Sequence, residues 1–310
     1  MRERIITIIG GTGFVGRYVV RRLAQAGYRL RILSRNPEGA LHLKTAGDVG
    51  QIVLMAGNLA KPETLEGKLD GSYAVINLVG ILYESGRQSF TVLHAQGAER
   101  LALLAREAGA KRFIHLSALG VDKPTSANYA RSKLLGERAV EAAFPEATIL
   151  RPSVIFGPED HFFNQFAAMA SLFPALPLIG GGHTRFQPVY VDNVAEAVAV
   201  ALTREEALGQ TYELGGPRTY SFREILEYIL ATIGKKRLLV PLPFALASCI
   251  GCVSECLPRP PLTRDQVRLL KHDNVVSPNA KTFAHLGLTP TAVDAIVPDY
   301  LARFGKKAVA

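Results

Sequence analysis

The feature that most narrows what this chain can fold into is a glycine turn wedged between two regular segments. Ile5–Ile9 is an unbroken β-branched run, and Gly10-Gly11-Thr12-Gly13-Phe14-Val15-Gly16 follows at once. Val15–Ala26 then repeats apolar residues at helical spacing, with Val15, Val19, Val20 and Leu23 on one face and Arg17, Arg21 and Arg22 on the other. A strand that passes through spaced glycines straight into a helix opens a βαβ unit. Glycine allows both the tight turn and the close approach of a ligand's phosphates to the backbone. The free N–H groups of the first helical turn face that approach, so the pattern points to a dinucleotide pyrophosphate.

The first half of the chain continues the alternation. Short β-rich runs at Leu30–Leu33, Gln51–Met55, Ala74–Leu78, Phe113–Ser117 and Thr148–Leu150 are separated by helical stretches that include Ala95–Ala108 and Ala130–Ala143. This predicts an α/β fold, a Rossmann-type doubly wound parallel sheet with crossover helices. After Arg151-Pro152 the texture changes to Gly157-Pro158, Gly180-Gly181-Gly182 and Gly215-Gly216-Pro217, which predicts a smaller C-terminal lobe on the carboxyl edge of the sheet. The expected division is a nucleotide-binding core over 1–155, with 187–206 returning to it, and a smaller substrate or partner lobe from 156–186 and 207–310.

At 310 residues, 48% hydrophobic and 20% charged, the chain can bury a large core and is not a disordered one. Its net charge of +9 favours acidic partners such as a dinucleotide phosphate or an anionic lipid surface. No dense Lys/Arg block with interleaved aromatics appears, which argues against nucleic acid. Met1–Arg4 leaves no room for a signal peptide before the first strand, so the chain is expected to be complete and cytoplasmic. Three cysteines exclude a disulfide framework and fit a reducing compartment. Cys249-x-x-Cys252-x-x-x-Cys256 lacks a fourth ligand, so small apolar packing is expected there, and no metal site is expected anywhere.

The second strand ends Leu33-Ser34-Arg35-Asn36, without the acid that accepts from a ribose 2′-hydroxyl. Arg35 and Ser34, with Arg17 just past the last glycine, suit a 2′-phosphate, and NADP(H) is expected over NAD(H). The alternative is that Arg35 is a solvated loop arginine. Tyr129 and Lys133 lie four apart on a predicted helix and so share a face. A nearby ammonium lowers a tyrosine's pKa and holds ribose hydroxyls, which is the arrangement of a tyrosine acid in carbonyl reduction.

With these motifs the chain resembles the extended short-chain dehydrogenase/reductase superfamily along nearly its whole length. Further matching stretches are Ala56-Gly57-Asn58-Leu59, Asn77-Leu78-Val79-Gly80, Arg151–Pro158 and Pro188–Ala195. Within that superfamily, Arg185–Val191 and Pro261–Val267 are similar to the atypical branch that contains the nucleotide-binding accessory subunit of the alpha subcomplex of mitochondrial complex I. The resemblance implies a nucleotide held by Gly10, Thr12, Gly13, Phe14, Val15, Gly16, Arg17, Ser34, Arg35, Asn58, Leu59, Leu78, Val79, Ser117, Tyr129, Lys133, Pro152 and Ser153. It also implies an accessory, assembly or regulatory role beside a respiratory complex or quinone-biosynthesis proteins, peripheral on the cytoplasmic or matrix face of an inner membrane.

Two departures bear on activity. Alignment with the extended enzymes puts Ala118 at the usual catalytic serine and His94 at the usual asparagine, leaving Tyr129 and Lys133 either as catalytic residues or as ribose ligands only. Ser117 is adjacent, but strand alternation would turn its side chain to the other face. The rival expectation is an active NADPH-dependent reductase or epimerase of a small hydrophobic, isoprenoid- or quinone-like substrate. Finally, Leu238–Ser254 is uncharged and preceded by Lys235-Lys236-Arg237. It reads either as a membrane-interface segment or as a core helix of the second lobe.

Overall fold

Strands that are apolar on both faces need cover on both sides, and the middle layer of a three-layer sandwich supplies it. The computed structural model describes residues 4–305 apart from Arg87 and Arg259, so both outer ends of the expected division lie outside the described residues. In it β1 (Ile5–Ile9), α1 (Phe14–Gln25), β2 (Arg29–Ser34), β3 (Ile52–Ala56), β4 (Ser72–Asn77), α2 (Gly97–Glu107), β5 (Arg112–Leu116), α3 (Asn128–Ala143) and β6 (Thr148–Pro152) build the first half. The chain goes on through β7 (Ile155–Phe156), α4 (Phe162–Leu172), β8 (Ala175–Ile179), β9 (Arg185–Phe186), β10 (Val189–Tyr190) and α5 (Val191–Ala201). Then come β11 (Thr211–Leu214), β12 (Tyr220–Ser221), α6 (Phe222–Thr232), β13 (Leu238–Leu242), α7 (Phe244–Ser254), α8 (Arg264–Leu269) and α9 (Val297–Leu301).

The main sheet runs β11-β6-β5-β4-β1-β2-β3, with every neighbouring pair parallel. The order reverses between β1 and β4, so the crevice at their carboxyl ends is the topological switch point, where Ile9 stands beside Asn77. One part of the expected division needs correcting. Thr211–Leu214, assigned to the smaller lobe, is β11 and closes the main sheet against β6.

One face of the sheet packs on α1 and α5 through residues such as Val19, Leu23, Val194 and Val198. The other packs on α2 and α3 through Leu101, Ala105 and Val140. A separate cluster in the second half gathers Phe156, Phe163, Phe186 and Phe222. The predicted helix over 95–108 begins with a π-helical turn, Thr91–Gln96. There α3 crosses so closely that a Cβ on Gly136 would overlap the carbonyl oxygen of His94.

The uncharged run after Lys235-Lys236-Arg237 is not one continuous helix. Pro241 and Pro243 divide it into β13, paired with β8, and α7. Helix α7 buries only Ala247, Gly251 and Ser254, while Leu246 (52%), Ile250 (45%) and Val253 (75%) are exposed. The cysteines expected to pack are also exposed, Cys249 and Cys252 on α7 and Cys256 just beyond it. Past Phe244, which packs on the second-half cluster, the helix rests on its small residues, and that turns Leu246, Ile250 and Val253 outward. Among the described residues no helix is long and apolar enough to cross a membrane.

Candidate nucleotide site

The glycines leave room that side chains would fill. Gly10 has φ +84°, and a Cβ there would stand 2.9 Å from the Leu78 carbonyl carbon, while one on Gly16 would overlap Gly10 and Gly11. Gly13 N–H donates to Gly10 O at 3.1 Å and closes the turn. Helix α1 then starts with no side-chain cap and no acid in its first turn. Its leading N–H groups therefore lack an intrahelical partner. Thr12 and Gly13 are exposed, and Phe14 and Val15 half-buried. Arg17 Nε is buried with no partner among the described residues. A turn that excludes side chains, an uncapped positive helix end and an orphaned guanidinium nitrogen together fit an anionic dinucleotide.

The facing wall follows β4. Leu78 and Val79 are half-buried, and Asn77 Oδ1 accepts from Val79 N–H at 3.1 Å. Asn58 Oδ1 accepts from Ala60 N–H, which shapes the turn after β3. Leu59, expected to touch the nucleotide, is instead a buried core side chain against Gly97. Ser34 is also corrected. Its hydroxyl donates to Asn36 O and accepts from Asn36 N–H in a local turn. Arg35 is exposed, with Nη1 donating to Gln88 Oε1 at 2.8 Å. Pro152 is buried, and Ser153 Oγ donates to Asn274 Oδ1 at 2.6 Å, tying the end of β6 to the C-terminal segment.

Tyr129 and Lys133 stand one turn apart on α3. Lys133 is buried, and its Nζ donates to Leu116 O at 3.0 Å and Val79 O at 3.4 Å. A Cβ on Gly80 would lie 3.3 Å from that nitrogen, so a side chain there would crowd the ammonium. Burial lowers the Lys133 ammonium to about 8. The expectation that Lys133 depresses the tyrosine is overturned: burial pushes the Tyr129 phenol up to about 12. Desolvation disfavours the phenolate. The ring packs edge-on against Phe90 and His94.

His94 is spent on structure. Ile81 N–H donates to its Nε2 at 3.0 Å, so in the neutral ring Nδ1 carries the proton and donates to Ser132 Oγ at 2.9 Å. Ser132 in turn donates to Tyr129 O at 2.8 Å. Burial first, then the Lys133 charge, hold His94 down at about 2. His115, likewise buried near Lys133, lies at about 3, and its Nδ1 takes the amide of Asn77 at 3.2 Å. Ser117 is buried, its Oγ without a partner among the described residues, and Ala118 packs beside Val121, Ala127 and Ala130. Tyr129 and Lys133 thus bring a phenol and an ammonium to one face of α3, while Ala118, expected at the usual serine position, carries no hydroxyl.

Three positions carry weight that sequence reasoning did not assign. Gln88 holds Arg35; Asn274 accepts from Ser153 and donates to Leu119 O; and Asp265 accepts from the N–H groups of Asn128 and Tyr129. Only Asp265 lies in a stretch that had drawn notice, and spacing says nothing of partners so distant in the chain.

Residues 6–215 match the model of the NAD dependent epimerase/dehydratase family. The chain is 36% identical to NADH dehydrogenase (ubiquinone) 1 alpha subcomplex subunit 9, mitochondrial, of Arabidopsis thaliana, over 97% of this chain and 78% of that protein. It is 34% identical to the ceramide reductase of Caulobacter vibrioides, over 77% of this chain and 74% of that one. Among solved structures, the dTDP-glucose 4,6-dehydratase DesIV of Streptomyces venezuelae superposes with a TM-score of 0.72 at 20% identity, covering 97% and 95% of the two chains, a likeness of fold. With its glycine turn at the switch point of a doubly wound sheet and a family match over most of its length, this chain belongs to the NAD dependent epimerase/dehydratase family.

Proposed function

We propose that the protein binds NADP(H) in the β1–α1 groove and serves as an accessory, assembly or regulatory protein of a respiratory or quinone-related membrane complex. The observation that carries this reading is the pairing of an intact nucleotide cradle with a disabled carbonyl site. Gly10, Gly13, Gly16 and Arg17 would hold the pyrophosphate, Tyr129 and Lys133 the ribose, and Arg35 a 2′-phosphate. The bound group would supply a hydride. Ala118 and the locked ring of His94 leave little to polarise an acceptor in line with it. The 36% identity to a complex I subunit supports the partner class.

The outward apolar face of α7, together with exposed Lys236 and half-buried Lys235 ahead of β13, suits the surface of an anionic membrane, cytoplasmic or matrix side. A second reading, a reductase of a lipidic carbonyl, is favoured by the surviving Tyr129–Lys133 pair and by the similarity to a ceramide reductase. The two separate in one experiment, complementation of a deletion strain by Tyr129→Phe. Full rescue with normal NADPH occupancy supports the accessory role. Loss of rescue at normal occupancy means that the phenol does chemistry, and the reductase reading stands.

A further inference from the structure

Helix α3 carries the Tyr129–Lys133 pair, yet nothing in its own sequence caps it. Ala127 stands at its N-cap with no side-chain acceptor, and its first turn holds no acid. The cap comes from the other half of the molecule. Asp265 Oδ1 accepts from Asn128 N–H at 2.7 Å and Oδ2 from Tyr129 N–H at 2.8 Å. A carboxylate here satisfies two orphan donors and meets the positive end of the helix.

Asp265 is itself held firmly. It lies in the first turn of α8, whose Thr263 and Gln266 form a reciprocal capping box. Arg268 Nη1 stands 3.5 Å from its Oδ1, and its side chain is only 14% exposed. Behind it, α8 leans on α7. Glu255 accepts from Arg264 N–H at 2.8 Å and Nε at 2.9 Å, and Ser254 Oγ donates to Leu262 O. Gly251 meets the chain so tightly that a Cβ would stand 2.8 Å from Arg264 N.

We propose that Asp265 is a positioning residue for the nucleotide site. From the α7–α8 unit it seats the first turn of α3, and with it Tyr129 and, one turn on, Lys133. The ribose-facing pair is therefore set by the same unit whose outer face is the exposed apolar surface of α7. This inference rests on the nucleotide reading above for its ligand, but its structural half can be tested without one.

The test uses the full-length chain. Hydrogen exchange of the nucleotide-free protein should show the amides of 128–131 exchanging at least about tenfold faster in Asp265→Ala, with an intermediate rate in Asp265→Asn, whose amide oxygen still accepts. Peptides from α1 and α5 should not change. Gly251→Ala, which must push the Thr263–Arg264 backbone, should loosen the same amides to a lesser degree. By calorimetry, Asp265→Ala should weaken NADPH about fivefold or more. Combined with Lys133→Ala it should add little, whereas with Arg35→Ala the losses should multiply.

Unchanged exchange at 128–131 in Asp265→Ala overturns the seat itself. Unchanged exchange in Gly251→Ala overturns the reach to α7. Full multiplication of the Asp265 and Lys133 effects overturns positioning. If wild-type protein binds neither NADPH nor NADH, the nucleotide reading falls, and the exchange data alone decide the role of Asp265.

Discussion

His94 Nδ1 lies 2.9 Å from Ser132 Oγ, and with Ile81 N–H on the opposite ring nitrogen the imidazole is fully engaged between the loop after β4 and helix α3. Histidine at this position is a brace, not a reacting group. His94→Asn should therefore cost about 2–3 kcal/mol in urea unfolding, from lost packing against Phe90 and Tyr129 and at least one lost buried hydrogen bond. It should create no carbonyl reduction, since Ala118 still lacks a hydroxyl. Turnover appearing in His94→Asn would show that the histidine, not Ala118, is what silences the site.

Two buried histidines held below their ordinary value should make the fold sensitive to acid. His94 and His115 sit at about 2 and 3 when folded, below the unfolded value of about 6.5. Above that unfolded value neither form is charged and their contribution is fully present. As pH falls below it, the unfolded chain takes up two protons that the native one refuses, so stability drops by up to about 2.7 kcal/mol per pH unit. Thermal melts between pH 6.5 and 4 should slope steeply, and His115→Asn should reduce the slope by about half. An equal slope in that variant would assign the acid sensitivity to other groups.

Discrimination between the two nucleotides should rest on Arg35 and its hold on Gln88. NADPH should bind at least about tenfold tighter than NADH, equivalent to about 1.4 kcal/mol. Arg35→Ala should remove that preference while leaving NADH nearly unchanged, and Gln88→Ala should lower it by about two- to threefold. Equal wild-type affinities for NADPH and NADH in calorimetry would refute the 2′-phosphate assignment.

The face of α7 should hold the protein on vesicles containing anionic lipid at low salt. Lys235→Gln and Lys236→Gln should each weaken partitioning by about 1 kcal/mol, and Leu246→Ser with Val253→Ser should abolish it without lowering the melting temperature. Arg237 is left in place because its Nε donates to Ala170 O at 2.7 Å and serves the fold. Protein that stays in the supernatant at low salt would exclude a lipid partner for this face.

The sequence by itself determined the alternation of strands and helices, the glycine turn that opens the switch point, and the one-turn spacing of Tyr129 and Lys133. Each of these is written in residues within a turn or two of one another, where backbone sterics and periodicity act. Strand β11 lies past the change of texture at Arg151-Pro152, and only its pairing with β6, about 60 residues away, makes it part of the main sheet. What a side chain does once placed depended on tertiary contact. Ser34 and Ser153 read alike as phosphate or nucleotide ligands until the fold gave one to Asn36 and the other to Asn274. Burial raised Tyr129 and lowered Lys133, against the effect their spacing suggests, because desolvation is a property of surroundings and not of neighbours in the chain. Asp265 reaches Tyr129 across 136 residues, and the outward apolar face of α7 exists only because small residues were chosen to touch the rest of the molecule. Local propensity shapes the elements; partner and solvent exposure are settled where distant segments meet.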